Sequence, residues 1–208
     1  MGGVSYRTAW LVHDKLMTIM AACDATLRLE GDVQIDDAYL GGELPCTRGL
    51  GSANKVVFVA AVSLNDKGYS LHAKMSALPG FTRKAVAERA RCNLQSGTDV
   101  SSDGQACFAG VIDAGCAHSF IVVGPRKPRE MPQFKWVDTV LGNLKTTING
   151  ACKAFRFGKY TTACFGGFCY RFNHWFDLYG LVTDLIRDAS RARPRKETQI
   201  RRPAELHA

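Results

Sequence analysis

Residues 4–23 carry Tyr6, Trp10, Val12, Leu16, Ile19 and Met20, a spacing that predicts a helix with one mostly apolar face. Residues 32–40, DVQIDDAYL, read as a strand closed by Gly41 and Gly42. Residues 55–64 are a continuous apolar run, the pattern of a strand covered on both faces. Asn65, Asp66, Lys67 and Gly68 form a turn signal, and residues 69–75 alternate loosely as a further strand. Together these segments predict a three-stranded antiparallel meander.

Thr82 is a candidate N-cap for a helix over 83–94. Gly97 precedes a short strand over 98–102, and a helix over 105–114 stops at Gly115. Residues 118–123 suit another short strand, and 125–132 form a basic, proline-rich loop. Helices over 137–149, 158–176 and 178–192 fill the last third, and a polar tail with proline follows from Arg193. Strands early, a mixed middle and helices late predict an α/β class with a hairpin-rich sheet flanked by helices. The expected organisation is an N-terminal helical segment over 1–30, one catalytic-sized domain over 31–190 and a basic, flexible tail over 191–208.

Composition narrows the class. Of 208 residues, 46% are hydrophobic and 22% charged, which excludes extended disorder and coiled coil. No apolar run is long enough to span a membrane. Arg7, His13, Asp14 and Lys15 interrupt the N-terminus where a signal peptide would be apolar, so a cytoplasmic location is expected. Eight cysteines contain no C-x-x-C pair, and reduced thiols are expected.

Charge is unevenly placed. The net charge is +8, with a sequence pI near 9.2. Residues 31–70 hold five acids and three bases, whereas 126–159 hold eight bases and two acids. Residues 187–202 hold seven bases and two acids. Carboxylates within a basic surround suit a polyanionic partner, with solvated surface charge as the alternative.

Three aspartates stand out by position. Asp36 lies inside a strand of apolar neighbours, where a carboxylate is costly to bury unpaired. Asp103 ends a strand directly before Gly104, at the strand end where ligand groups gather. Asp138 opens a helix, with Lys145 two turns further on the same face. Carboxylate oxygens suit Mg²⁺, and two such ions assist phosphodiester cleavage. A turn or cap is the structural alternative for each acid. Strand alternation predicts that only one of Asp36 and Asp37 faces a partner acid, the other being outside the cluster or solvated.

These segments resemble a known family. GDVQIDDAYLGG is similar to the first-acid strand of DDE-type insertion-sequence transposases of the ISXO2-like group. SSDGQACFAGVIDAGCAH is similar to the second-acid segment, FKWVDTVLGNLKTTINGACKAFRFGKY to the third-acid helix, and FCYRFNHWFDL to the helix after it. With GVSYRTAWLVHDKLM, the resemblance spans roughly 3–185.

The resemblance implies a ribonuclease H-like fold and an enzyme that cuts DNA and transfers the freed strand. It implies Asp36, Asp103 and Asp138 as catalytic metal ligands for two Mg²⁺ ions, replaceable by Mn²⁺, with Lys145 beside them. Thirty-four residues separate Asp103 from Asp138, close to the family spacing. Lys127, Arg129, Lys135, Lys145, Arg171 and Asn173 are the expected contacts to double-stranded DNA, at transposon ends and at the target. A homo-oligomer on DNA is implied as well. His118 matches a family position, with a structural role as the plainer reading.

Three departures shape the alternatives. Aspartate stands at 138 where the group has asparagine or glutamate. The group's N-terminal zinc ribbon has no counterpart, implying an N-terminally truncated copy. Gly166 and Gly167 occupy a helix interior, where each costs about 1 kcal/mol relative to alanine. These features raise an inactive DNA-binding remnant as an alternative. A ribonuclease H-like nuclease without strand transfer is another.

Overall fold

The computed structural model describes residues 3–41, 55–122, 131–151 and 157–201. Strands β1 (Asp32–Leu40), β2 (Val56–Leu64), β3 (Ser70–Leu78), β4 (Asp99–Ser102) and β5 (Ala117–Phe120) form one sheet in the order β3-β2-β1-β4-β5. The first three make the expected antiparallel meander, while β4 pairs parallel with β1 and β5 parallel with β4. The helices are α1 (Tyr6–Asp24), α2 (Arg83–Asn93), α3 (Lys135–Ala151), α4 (Phe157–Asn173), α5 (Leu178–Arg191) and α6 (Glu197–Arg201), with α2 on one face of the sheet, α3 and α4 on the other, and α5 against α1. This is the mixed α/β architecture expected from the sequence, a five-stranded sheet flanked by helices.

Alternation along β1 and β2 feeds two cores. Val33, Ile35, Val59 and Ala61 pack with Ala85, Val86 and Ala90 of α2. Ala38, Leu40, Phe58, Ala60 and Val62 pack with Val137, Val140, Leu141 and Leu144 of α3 and Phe165 of α4. The apolar run of β2 is thus explained by burial on both faces.

Some elements differ in extent. The segment expected as an α-helix over 105–114 is a 3-10 helix, Ala106–Ala114. Phe108 and Val111 are fully buried and Ala114 packs beside them, a three-residue repeat that matches three residues per turn. β3 runs three residues past the expected end, because Ala77 and Leu78 pair with Phe58 and Val57. In the expected tail, α6 brings Glu197 to Arg7 at 2.6 Å, and Ile200 is buried.

Helix α1 is tied to the sheet at its C-terminal end. Asp24 and Lys74 form a buried ion pair at 2.9 Å, and Asn173 donates to the Asp24 carboxylate at 2.9 Å. Higher up, α1 crosses α4 at Gly166 and Gly167. A Cβ at Gly166 would strike the Ala21 backbone, and one at Gly167 would strike the Met17 thioether. The glycine pair therefore has a packing reason, and its reading as a mark of decay is corrected. Helix propensity is given up where close helix contact requires it.

All six described cysteines are free thiols. Among the described residues, no helix is long and apolar enough to cross a membrane.

Candidate active site

The local fold sets each acid. Asp36 shares a β1 face with Gln34 and Ala38, the face that meets α3 and α4. The β1–β4 ladder runs from Asp32–Asp99 to Gln34–Ser101. Beyond it the strand ends separate, and continuing the register by two places sets Asp103 opposite Asp36. Asp103 follows the end of β4, where its Oδ1 accepts the Gln105 amide at 3.1 Å. Gly104 completes this turn at φ 92°, a left-handed conformation suited to glycine.

Oxygens of Asp36, Asp37 and Asp103 all lie within 4.8 Å of one another, and all three residues are half-buried. Both neighbouring aspartates thus reach the cluster, which corrects the expectation that alternation would exclude one. Alternation separates Cβ atoms, but past the end of the β1–β4 ladder both carboxylates can still turn toward Asp103. The Asp36 Oδ1 folds back to accept the Asp37 amide at 2.9 Å. Gln105 Nε2 holds the Asp37 Oδ1 at 2.6 Å.

Asp138 lies in the first turn of α3, half-buried. It is outside the group within 4.8 Å but close enough for its charge to act on Asp36. Burial, with like charge from Asp37, Asp103 and Asp138, pushes the Asp36 carboxyl up to about 7; the Asp37 amide opposes this. Burial also raises Asp37, as does Asp103, while the Gln105 hydrogen bond opposes. Burial raises Asp138, and Lys145 opposes it across two helical turns.

Two glutamines missed by the sequence reading hold this arrangement. Gln34 is buried, and its Oε1 accepts the backbone N–H groups of Trp136 and Val137, both at 3.1 Å. A side chain from β1 therefore caps α3 and fixes where Asp138 begins its helix. The available signal was a polar residue in register with Asp36, two positions earlier. Gln105 had no comparable signal beyond its place after Asp103 and Gly104.

The remaining expected residues are dispersed. Lys145 is exposed on α3, and Lys135 is exposed with its Nζ 4.9 Å from the Trp136 ring centroid. Arg171 is exposed on α4. Asn173 is not gathered with the acids. Its amide donates to Ala73 O and Asp24 Oδ1 and accepts from Ala73 N, so both amide protons are used within the fold. His118 Nε2 pairs with Ser102 Oγ at 2.9 Å, and burial lowers its pKa. Lys127 and Arg129 lie outside the described residues.

The donor set fits a hard divalent cation. It offers several half-buried carboxylate oxygens, and among the described residues the charged groups acting on Asp36 are acids. Among curated proteins none matches the chain. A family model, the ISXO2-like transposase domain, matches residues 28–173, from just before β1 to the end of α4. It thus covers every acid of the cluster and the sheet that holds them, and the chain belongs to the ISXO2-like family of DDE-type insertion-sequence transposases.

Proposed function

We propose that this chain catalyses metal-dependent cleavage of transposon DNA and transfer of the freed strand to a target. The observation carrying this reading is the convergence of Asp36, Asp37 and Asp103 within 4.8 Å, with the Asp138 charge acting on Asp36 from α3. Asp36, Asp103 and Asp138 hold the metal, and Asp37 stands close enough to contribute an oxygen. Magnesium bound there supplies Lewis acidity to the phosphodiester and charge to offset the leaving 3′ oxygen.

The chain's own groups position the reaction. Gln105 orients Asp37, and the Gln34 cap sets the start of α3 and hence Asp138. Lys145, on the face of Asp138, attracts a phosphate beside the acids. In the first step water attacks phosphorus, one P–O3′ bond breaks and a 3′-hydroxyl is released. In the second, that hydroxyl attacks a target phosphodiester; one P–O bond forms as another breaks, with no redox change. Lys127, Arg129, Lys135 and Arg171 bind the DNA backbone, and the enzyme acts as an oligomer because two ends are joined.

Asp138 gives the sharpest test. Asp138→Ala should abolish Mg²⁺-dependent nicking of plasmid DNA, and transfer of a pre-cut end, while leaving the protein folded. Asp138→Asn should keep part of both activities, because an amide oxygen still coordinates, and Asp138→Glu should keep or improve them. Full nicking by a well-folded Asp138→Ala protein would remove Asp138 from the metal site. Absence of nicking in the wild type, with Mg²⁺ binding intact, would favour a remnant over an enzyme.

A further inference from the structure

We propose that the cleft between α1, α4 and α5 binds a small organic cation through its N–H groups, an alkylammonium or guanidinium. This cleft lies apart from the acid cluster, so either reading can fail alone. His72 on its wall is three residues along β3 from Met75, and Met75 is itself two strands across from Asp36.

The cleft opens where α1 and α4 both end, and α5 forms a third wall. Its volume is about 340 Å³, the size of a small-molecule site. Cys23 comes from α1, His72 from β3, Tyr170 from α4, His174 from just after it, and Asp184 and Asp188 from α5.

Three groups here have hydrogen-bonding capacity that the fold leaves unused. Tyr170 is 2% exposed, yet its hydroxyl has no hydrogen-bond partner among the described residues. Burial raises its pKa, Cys23, Asp188 and Asp184 raise it further, and Arg187 opposes. The polar end of the ring is therefore within electrostatic reach of four residues of the cleft wall. His174 Nδ1 donates to the Tyr170 carbonyl at 2.7 Å, so the neutral ring keeps a lone pair on Nε2, and no described group meets it. Asp188 accepts the Cys23 thiol at 3.0 Å, a weak donor, and has no Lys or Arg partner among the described residues. The other acids of the wall are matched: Asp24 by Lys74 and Asn173, and Asp184 by Arg187.

These unused groups define the ligand. A carboxylate, an imidazole lone pair and a phenol oxygen all accept hydrogen bonds from N–H. With Lys74 set against Asp24 and Arg187 against Asp184, Asp188 keeps an uncompensated negative charge, which favours a cation. Burial and the neighbouring His174 hold the His72 pKa below its ordinary 6.5, so at neutral pH this ring adds no opposing positive charge. A single metal ion fits less well. Bonds of about 2.0–2.3 Å need donors drawn close together. Among the described residues, the three-donor group within 4.8 Å is Asp36, Asp37 and Asp103, not the cleft. A ligand with several N–H groups spans acceptors that lie further apart.

The test is isothermal titration calorimetry of agmatine, which carries a guanidinium and an ammonium, into the full chain without DNA. One-site binding with a dissociation constant below about 1 mM is expected. Tyr170→Phe deletes an unpartnered hydroxyl, so the variant should show unchanged or higher thermal stability and bind agmatine on the order of 10-fold more weakly. Asp188→Asn keeps an oxygen for the Cys23 thiol but loses the charge, and should weaken binding on the order of 10–100-fold. Tetramethylammonium, a cation without N–H, should not bind. A wild type that shows no saturable binding, or affinity unchanged in both variants, would overturn the proposal. So would equal binding of tetramethylammonium. Zn²⁺ that displaces agmatine, with the competition lost in Cys23→Ser, would assign the cleft to a metal ion instead.

Discussion

Replacing Asp36 by asparagine should stabilise the metal-free protein at neutral pH. The substitution keeps the side chain's shape, and the new amide oxygen can still accept the Asp37 N–H that Asp36 accepts at 2.9 Å. What it removes is a charge. The folded protein holds the Asp36 proton up to about pH 7, whereas the ordinary value is 3.8. Folding therefore raises this pKa, so the folded state is favoured at low pH. Stability falls as pH rises from about 4 to about 7, and the loss is complete above that. Fully expressed, the gap corresponds to roughly 4 kcal/mol. Partial exposure of the cluster reduces this to about 1–3 kcal/mol. Urea melts in chelator from pH 4 to pH 8 measure it. Asp36→Asn should match the wild type near pH 4 and exceed it by about 1–3 kcal/mol at pH 8. Added Mg²⁺ should cancel most of this advantage or reverse it. At a hundredfold excess over its dissociation constant, a ligand stabilises by about 2.7 kcal/mol, and the variant should gain little of that. If Asp36→Asn is no more stable at pH 8, or its advantage persists unchanged to pH 4, repulsion at this cluster is not the cause.

Other expectations follow from the same geometry. Gln34→Leu leaves the N–H groups of Trp136 and Val137 without their acceptor; it should cost about 2 kcal/mol in urea melts and weaken Mg²⁺ binding by calorimetry. A normal Mg²⁺ affinity in that variant would separate the cap from the site. Gly166→Ala should destabilise by about 1–2 kcal/mol despite alanine's better helix propensity, because its Cβ meets the Ala21 backbone. Gly142→Ala, where a Cβ meets open space on α3, should instead be neutral or stabilising, and equal effects at the two positions would refute the packing argument. Neutralising Lys127, Arg129 and Lys135 together should flatten the plot of log DNA affinity against log salt by about 0.9 for each phosphate that no longer meets a cation; an unchanged slope would place the DNA elsewhere.

The sheet was legible because its signals were local. The continuous apolar run of β2 and the turn at 65–68 predict the meander, and burial of β2 on both faces explains the run. The placement of Asp103 directly after β4 was legible for the same reason: a short strand ends at a glycine turn. What stayed hidden depends on contacts between distant segments. Gln34 and Val137 are 103 positions apart, so no local pattern reveals that one caps the other's helix. Gly166 and Gly167 looked unfavourable because propensity is a property of one helix, whereas their reason is a second helix, α1. The pair Asp36–Asp37 misled for a geometric reason. Both residues stay paired with β2, but they lie beyond the last β1–β4 pair, Gln34–Ser101, and on that open side both carboxylates reach Asp103.

The fold itself supplies a comparison that bears on the acid cluster. Asp24 is buried as well, yet Lys74 meets its carboxylate at 2.9 Å and Asn173 donates to it. That carboxylate has its counter-charge and its hydrogen bonds inside the protein, as a structural buried acid requires. Asp36 has the opposite surroundings. Among the described residues, the charged groups acting on it are Asp37, Asp103 and Asp138, and the hydrogen bond it accepts comes from the Asp37 backbone amide. Lys145 acts on Asp138 from two turns along α3. A fold that matches one buried acid so closely has the means to match another. Leaving three acids within 4.8 Å, with the proton affinity of Asp36 and Asp37 raised, carries a stability cost that packing does not explain. A bound cation would offset this cost, because the burial and like charge that raise the Asp36 pKa would both favour a divalent ion beside these carboxylates. Burial and mutual repulsion are therefore the physical basis of the proposed metal site, and the Asp24–Lys74 pair shows what a buried acid with a structural role looks like in this fold.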